Sequence, residues 1–314
     1  MDTILKIEHL TKSLGKREIL HDISFETYGG EVFGFLGPNG AGKTTTIKVL
    51  VGLLLLDQGT VSICGYDLKK DFENAIKNVG GIVENPEFYK YLSGYENLRQ
   101  YAKIQGVGED RIREVIHLVG LENRINDKVS KYSLGMRQRL GVALSLLHRP
   151  KLLILDEPTN GLDPAGIKEL RDILTNLAHE ENISVVVSSH QMSEMELMCD
   201  RVGVIVAGEL KSVQPISELV ASVAHDKCEK IFRVDAPERA AQILSENGFE
   251  DVTVTENSVN VLFDKASEDE ITAKINRLLV HGDISVFNIA DKENRRLEDV
   301  FIELTQREGG DQIV

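Results

Sequence analysis

The sequence predicts an α/β chain in two parts: a core built on a parallel sheet, followed by a small α+β domain of the ferredoxin-like βαββαβ pattern. Three observations predict this. Gly37-Pro38-Asn39-Gly40-Ala41-Gly42-Lys43-Thr44-Thr45 fits the G-x-x-x-x-G-K-[ST] spacing of a phosphate-binding loop. Up to residue 222, apolar runs of strand length alternate with helical patterns, as a parallel core requires. From residue 229 onward the pattern instead reads strand, helix, strand, strand, helix, strand.

Taken in order, Val32-Phe33-Gly34-Phe35-Leu36 suits a buried strand feeding the loop, and residues 44–54 suit the helix leaving it. That setting is what the loop's chemistry needs. Glycines let backbone N–H groups converge on phosphates, and the helix N-terminus adds partial positive charge. Gly37, Pro38, Asn39, Gly40, Ala41, Gly42 and Thr45 therefore shape the cradle, Lys43 reaches the β- and γ-phosphates, and the Thr44 hydroxyl takes Mg²⁺. The chain is expected to bind ATP or GTP.

Further on, Lys151-Leu152-Leu153-Ile154-Leu155 is an apolar run ending in Asp156-Glu157, two carboxylates at the exit of a buried strand. An ionised carboxylate beside an apolar core is costly unless it meets a cation. Mg²⁺ with a triphosphate supplies one for Asp156 through water, which leaves Glu157 to orient or deprotonate an attacking water.

With both constellations in place, the chain resembles the ATP-binding subunit of an ABC transporter over residues 3–220, a P-loop NTPase core with a helical subdomain near residues 94–147. Tyr132-Ser133-Leu134-Gly135-Met136-Arg137-Gln138 stands where that family writes its Leu-Ser-Gly-Gly-Gln signature. Gly161-Leu162-Asp163-Pro164 matches the D-loop, and His190, after the apolar residues 183–187, matches the switch histidine. The resemblance implies that His190 holds the γ-phosphate and that Asp163 couples two sites. It also implies a dimer, because Ser133, Leu134, Gly135 and Met136 open a second phosphate-binding helix end in a chain with one phosphate loop. Two chains head to tail would sandwich two nucleotides.

Two departures from the family pattern are informative. Gly81-Ile82-Val83-Glu84-Asn85-Pro86 places Glu84 where relatives carry a glutamine, a harder ligand for Mg²⁺ without the amide donor. This, with the form of the signature, is similar to the branch that exports lantibiotics, bacitracin and related peptide antibiotics. Leu14, in Ser13-Leu14-Gly15, stands where relatives place an adenine-stacking ring, and it keeps apolar contact while losing the π-face. Residues 86–98 hold four aromatics in a chain only 5% aromatic, so Phe88, Tyr89 and Tyr91 serve either core packing or a docking surface for the membrane subunit, near residues 84–95.

Composition sets limits. With 314 residues and 42% hydrophobic content the chain can bury a sizeable core and hold two domains. The longest apolar stretch, residues 49–56, is short of the roughly 18 residues of a membrane helix, and Met1-Asp2-Thr3-Ile4 shows no basic signal region. Cys64, Cys199 and Cys228 lack metal-ligand or disulfide spacing. A net charge of −14 disfavours nucleic acid, and from Val223 onward 11 basic residues face 20 acidic ones.

The expected organisation is an ABC ATPase domain over residues 1–222, an accessory ferredoxin-like domain over 223–307 that ends in an amphipathic helix at 297–305, and a tail at 308–314. The accessory domain is a dimer scaffold or a ligand-sensing module. The expected function is an ATP-hydrolysing, energy-coupling subunit on the cytoplasmic face of the plasma membrane, bound to polytopic permease subunits. The competing class is a soluble non-transport ABC ATPase, opposed by the lack of a coiled-coil insertion and by the single cassette.

Overall fold

The structure, a computed structural model, describes residues 2–84, 86–223, 227–249, 251–264 and 268–291. The chain divides into two compact units between Ser217 and Glu218. The first opens with the hairpin β1 (Thr3–Leu14) and β2 (Arg17–Tyr28), then β3 (Val32–Leu36), α1 (Lys43–Leu50), β4 (Gln58–Ile63), β5 (Tyr66–Asp67), α2 (Phe72–Ile76) and β6 (Val79–Ile82). A helical segment follows: α3 (Gly94–Gln105), α4 (Glu109–Leu118) and α5 (Leu134–Leu146). The chain then returns through β7 (Leu152–Asp156), α6 (Pro164–His179), β8 (Ser184–Ser189), α7 (Met192–Met198), β9 (Arg201–Val206) and β10 (Glu209–Pro215), and α8 (Ile216–Val223) carries it across the boundary into the second unit.

Two sheets make the first unit. One is antiparallel, ordered β2-β1-β4-β5, and the other runs β10-β9-β3-β8-β7-β6, parallel except for β10 at its edge. Every residue of β3, β7 and β8 is buried, the near-continuous apolar signature of strands covered on both faces. Phe25 of β2 stacks on Phe33 and Phe35 of β3 with ring centroids 5.0 and 5.6 Å apart, tying the two sheets through one aromatic cluster.

One element is shorter than its sequence pattern. α1 stops at Leu50, although the apolar run continues to Leu56. Gly52 takes φ 77° there, and the N–H groups of Leu53 and Leu54 both turn back to the Lys48 carbonyl, at 2.8 and 3.0 Å. Satisfying the last carbonyls ends the helix and leaves Leu53 and Leu55 exposed.

In the second unit, β11 (Lys227–Val234), α9 (Pro237–Glu246), β12 (Val252–Thr255), β13 (Ser258–Asp264), α10 (Glu268–His281) and β14 (Val286–Asp291) build an antiparallel sheet ordered β12-β13-β11-β14. This is the ferredoxin-like arrangement. Phe232, Val259 and Val261 pack against Ala240 and Leu244 of α9 and Ile275 and Leu279 of α10 as a separate core. The amphipathic helix expected at 297–305 and the tail at 308–314 lie outside the described residues.

α3 begins with a reciprocal cap: the Ser93 hydroxyl accepts from Glu96 N–H at 3.1 Å, and the Glu96 carboxylate accepts from Ser93 N–H at 2.8 Å. Ser93→Ala should cost about 1 kcal/mol and lower Tm by ~2–4 °C while leaving nucleotide affinity unchanged, as read by thermal melts with and without nucleotide.

Candidate functional site

Three parallel strands end at one edge of the large sheet and deliver the site. β3 and β8 pair with Leu36 beside Ser189, and β8 and β7 pair with Ser188 beside Asp156. The phosphate loop, the carboxylate pair and His190 therefore leave adjacent strands. Gly37 N–H donates to the Ser189 carbonyl at 3.3 Å, fastening the start of the loop to β8. Gly42 is the N-cap of α1 at φ 112°, and a Cβ there would lie 2.6 Å from Leu20 Cδ2, so only glycine fits. With no side chain capping α1, its first N–H groups remain available to an anion.

The buried Lys43 ammonium folds back over the loop. Its Nζ donates to the carbonyls of Gly37 and Pro38, at 2.6 and 3.2 Å, and lies 3.3 Å from Glu157 Oε1. The other oxygen of that carboxylate, Oε2, lies 2.8 Å from His190 Nδ1. Glu157 thus bridges two groups that can carry positive charge. Its backbone is left-handed, φ 48°, and its N–H donates to Ser188 Oγ at 2.9 Å. Ser188 Oγ in turn donates to Asp156 Oδ1 at 2.6 Å.

A cavity of about 240 Å³ opens above this arrangement, lined by Asn39, Gly40, Gly42, Lys43, Thr44, Thr45, Glu157 and His190, all expected from sequence, and by Ile19 and Asn160, which were not. Gly37, Pro38, Ala41 and Asp156 stand behind the lining. The donor set suits Mg²⁺ with a triphosphate: among the described residues no cluster of His, Cys, Asp and Glu could hold a metal alone, while Asp156 keeps Oδ2 and Thr44 its hydroxyl for a cation whose other ligands are phosphate oxygens and water.

The remaining sequence candidates lie outside that cavity. Leu14 sits at the tip of the β1–β2 hairpin, paired with Arg17 and 46% exposed, while Ile19 of β2 supplies the apolar wall. Glu84, exposed and left-handed at φ 68°, pairs with Lys48 Nζ at 3.2 Å. Ser133 caps α5, its hydroxyl accepting from Met136 N–H at 3.2 Å, with Leu134 and Gly135 in the first turn. Asp163 caps α6 by accepting from Gly166 N–H at 3.1 Å. Tyr89 and Tyr91 are exposed and pack ring to ring at 5.9 Å, whereas Phe88 is half-buried.

Comparison with known proteins places the chain. The family described as ABC transporter matches residues 20–160. The chain is 49% identical over 306 residues, 97% of each chain, to the uncharacterized ABC transporter ATP-binding protein YhcH of Bacillus subtilis (strain 168). It is 40% identical to the bacitracin transport ATP-binding protein BcrA of Bacillus licheniformis, over 97% of this chain and 98% of that protein. Among solved structures, cbiO1 of Clostridium perfringens, part of the ABC transporter complex cbiONQ, superposes with a TM-score of 0.66 at 28% identity, covering 70% of this chain and 92% of that one.

Among the described residues no aromatic side chain lines the cavity, and Ile19 is its one large apolar residue. ATP and GTP should bind within about tenfold of one another in competition titrations, because the missing stacking is worth only ~1 kcal/mol. An ATP preference above about a hundredfold would contradict this, since that ratio needs ~3 kcal/mol of base-specific contact.

Proposed function

This chain belongs to the ABC transporter family of ATP-binding proteins, and we propose that it powers export of a peptide antibiotic through a separate membrane permease. The observation that carries the reading is the Glu157 carboxylate, held between Lys43 and His190 at the edge where the phosphate loop ends. Similarity to the bacitracin transport protein along both units supports the substrate class.

The chemistry follows from where each group stands. The loop N–H groups and Lys43 bind the triphosphate, and as Lys43 turns from Glu157 to phosphate it releases Oε1. That oxygen then accepts a hydrogen bond from a water in line with the γ-phosphate and receives its proton as the water oxygen bonds to the γ-phosphorus and the bridging P–O bond breaks, releasing ADP. His190 would donate Nδ1–H to the Glu157 carboxylate and Nε2–H to a γ-phosphate oxygen, both of which are acceptors. Thr44, and Asp156 through water, would hold Mg²⁺, which would supply charge neutralisation at the phosphate oxygens. A metal role for Glu84 requires it to leave Lys48.

Completion of the site calls for a second copy. Ser133, Leu134, Gly135, Met136 and Asp163 do not line their own chain's cavity, and α5 offers a helix start suited to phosphate. A head-to-tail dimer supplies that end from the partner. Among the described residues no helix is long and apolar enough to cross a membrane, so the membrane path belongs to the permease. The exposed Tyr89–Tyr91 pair, within residues 84–95, is the proposed docking surface and sets the chain at the cytoplasmic face.

Glu157→Gln, tagged and extracted gently with ATP and Mg²⁺, should run as a dimer and bring a polytopic membrane protein down in stoichiometric amount, identified by mass spectrometry. A persistent monomer, or only soluble, ribosomal or DNA-bound partners, would refute the exporter reading. Deletion of the chain from its host should also lower resistance to a peptide antibiotic, measured as inhibitory concentration. Unchanged resistance across such peptides would remove the substrate class and leave the ATPase.

A further inference from the structure

We propose that Ser188 is a positioning residue that sets the metal carboxylate and the water-activating carboxylate with one hydroxyl. The inference rests on the ATPase reading and deepens it. Ser188 is fully buried on β8, directly opposite Asp156 of β7 in the parallel register. Its Oγ donates its single proton to Asp156 Oδ1 at 2.6 Å and accepts Glu157 N–H at 2.9 Å. Both uses fall within the capacity of a hydroxyl, which has one proton to give and two lone pairs to offer.

Each bond fixes something the chemistry needs. The donation commits Oδ1 and fixes the carboxylate, leaving Oδ2 for water on a bound cation. The acceptance holds Glu157 at φ 48°, a region that residues with a β-carbon rarely adopt. A turn closes the other side, with Asn160 N–H donating to the Glu157 carbonyl at 3.1 Å. In this backbone setting Glu157 reaches Lys43 and His190 together. Without the hydroxyl, a buried N–H loses its partner and Asp156 loses its orientation at the same time.

The test compares wild type with Ser188→Ala, Ser188→Thr and Ser188→Val in the full-length chain. One readout is phosphate release at saturating ATP. The other, independent of turnover, is the Mg²⁺ concentration that half-saturates tight binding of a fluorescent ADP analogue. Ser188→Ala should lower kcat by about 10- to 100-fold and raise the Mg²⁺ midpoint several-fold, with Mg²⁺-free nucleotide affinity within about twofold of wild type. Ser188→Thr should recover both readouts and Ser188→Val neither, because the two side chains share a shape and differ in the hydroxyl.

Unchanged kcat and Mg²⁺ midpoint in Ser188→Ala would overturn the inference, as would equal impairment of the Thr and Val variants, which reports packing. If wild type releases no phosphate while the Mg²⁺ midpoint still follows the hydroxyl, the ATPase reading fails and the bridging role stands.

Discussion

The site depends on the parallel register of β3, β8 and β7. These strands are buried on both faces and end together, so the loop after β3, the carboxylates closing β7 and the serine–histidine end of β8 project from a single edge. Open parallel sheets bind ligands beyond the carboxyl ends of their strands for this reason. A slip of one residue between β7 and β8 would turn Ser188 away from Asp156 and leave a buried acid without its donor. The fold's interest in burying apolar strands and the site's interest in alignment are met by the same pairing.

Charge is the second constraint. The buried Lys43 ammonium is tolerable because it faces the part-buried Glu157 carboxylate, and His190 adds a second partner for Glu157. Lys43 and Glu157 therefore offset one another's charge. In the proposed mechanism, nucleotide binding exchanges one anionic partner of Lys43 for another and so frees the carboxylate when a γ-phosphate is present. The phosphate loop takes part in this economy by keeping its own N–H groups uncommitted at the start of α1.

Much of this was legible in the sequence because the signals are local. The glycine spacing around Lys43, the apolar run before Asp156 and Glu157, and the order of elements in the second unit each follow from short-range pattern. What escaped is non-local. Ser188 carries no local signal in the sequence, since its bonds to Asp156 and Glu157 cross to a strand about thirty residues away. Ile19, not Leu14, walls the cavity, because the β1–β2 hairpin carries Leu14 out to its tip. The metal role expected of Glu84 comes from the family's glutamine position, and its pairing with Lys48, one helical turn beyond Thr44 on α1, is a contact no local pattern announces. The end of α1 was also overrun, because periodicity continues through Gly52 while backbone geometry does not.

The central claim is that Glu157 activates water for attack on a phosphate held by Lys43 and His190. Its most direct test is the rate of phosphate release by the wild-type chain and by Glu157→Gln at saturating ATP and Mg²⁺, with ATP affinity measured on the same samples. Loss of about 100-fold or more in release at unchanged affinity is the expected result. Near-normal release by Glu157→Gln would contradict it and take the base role from Glu157.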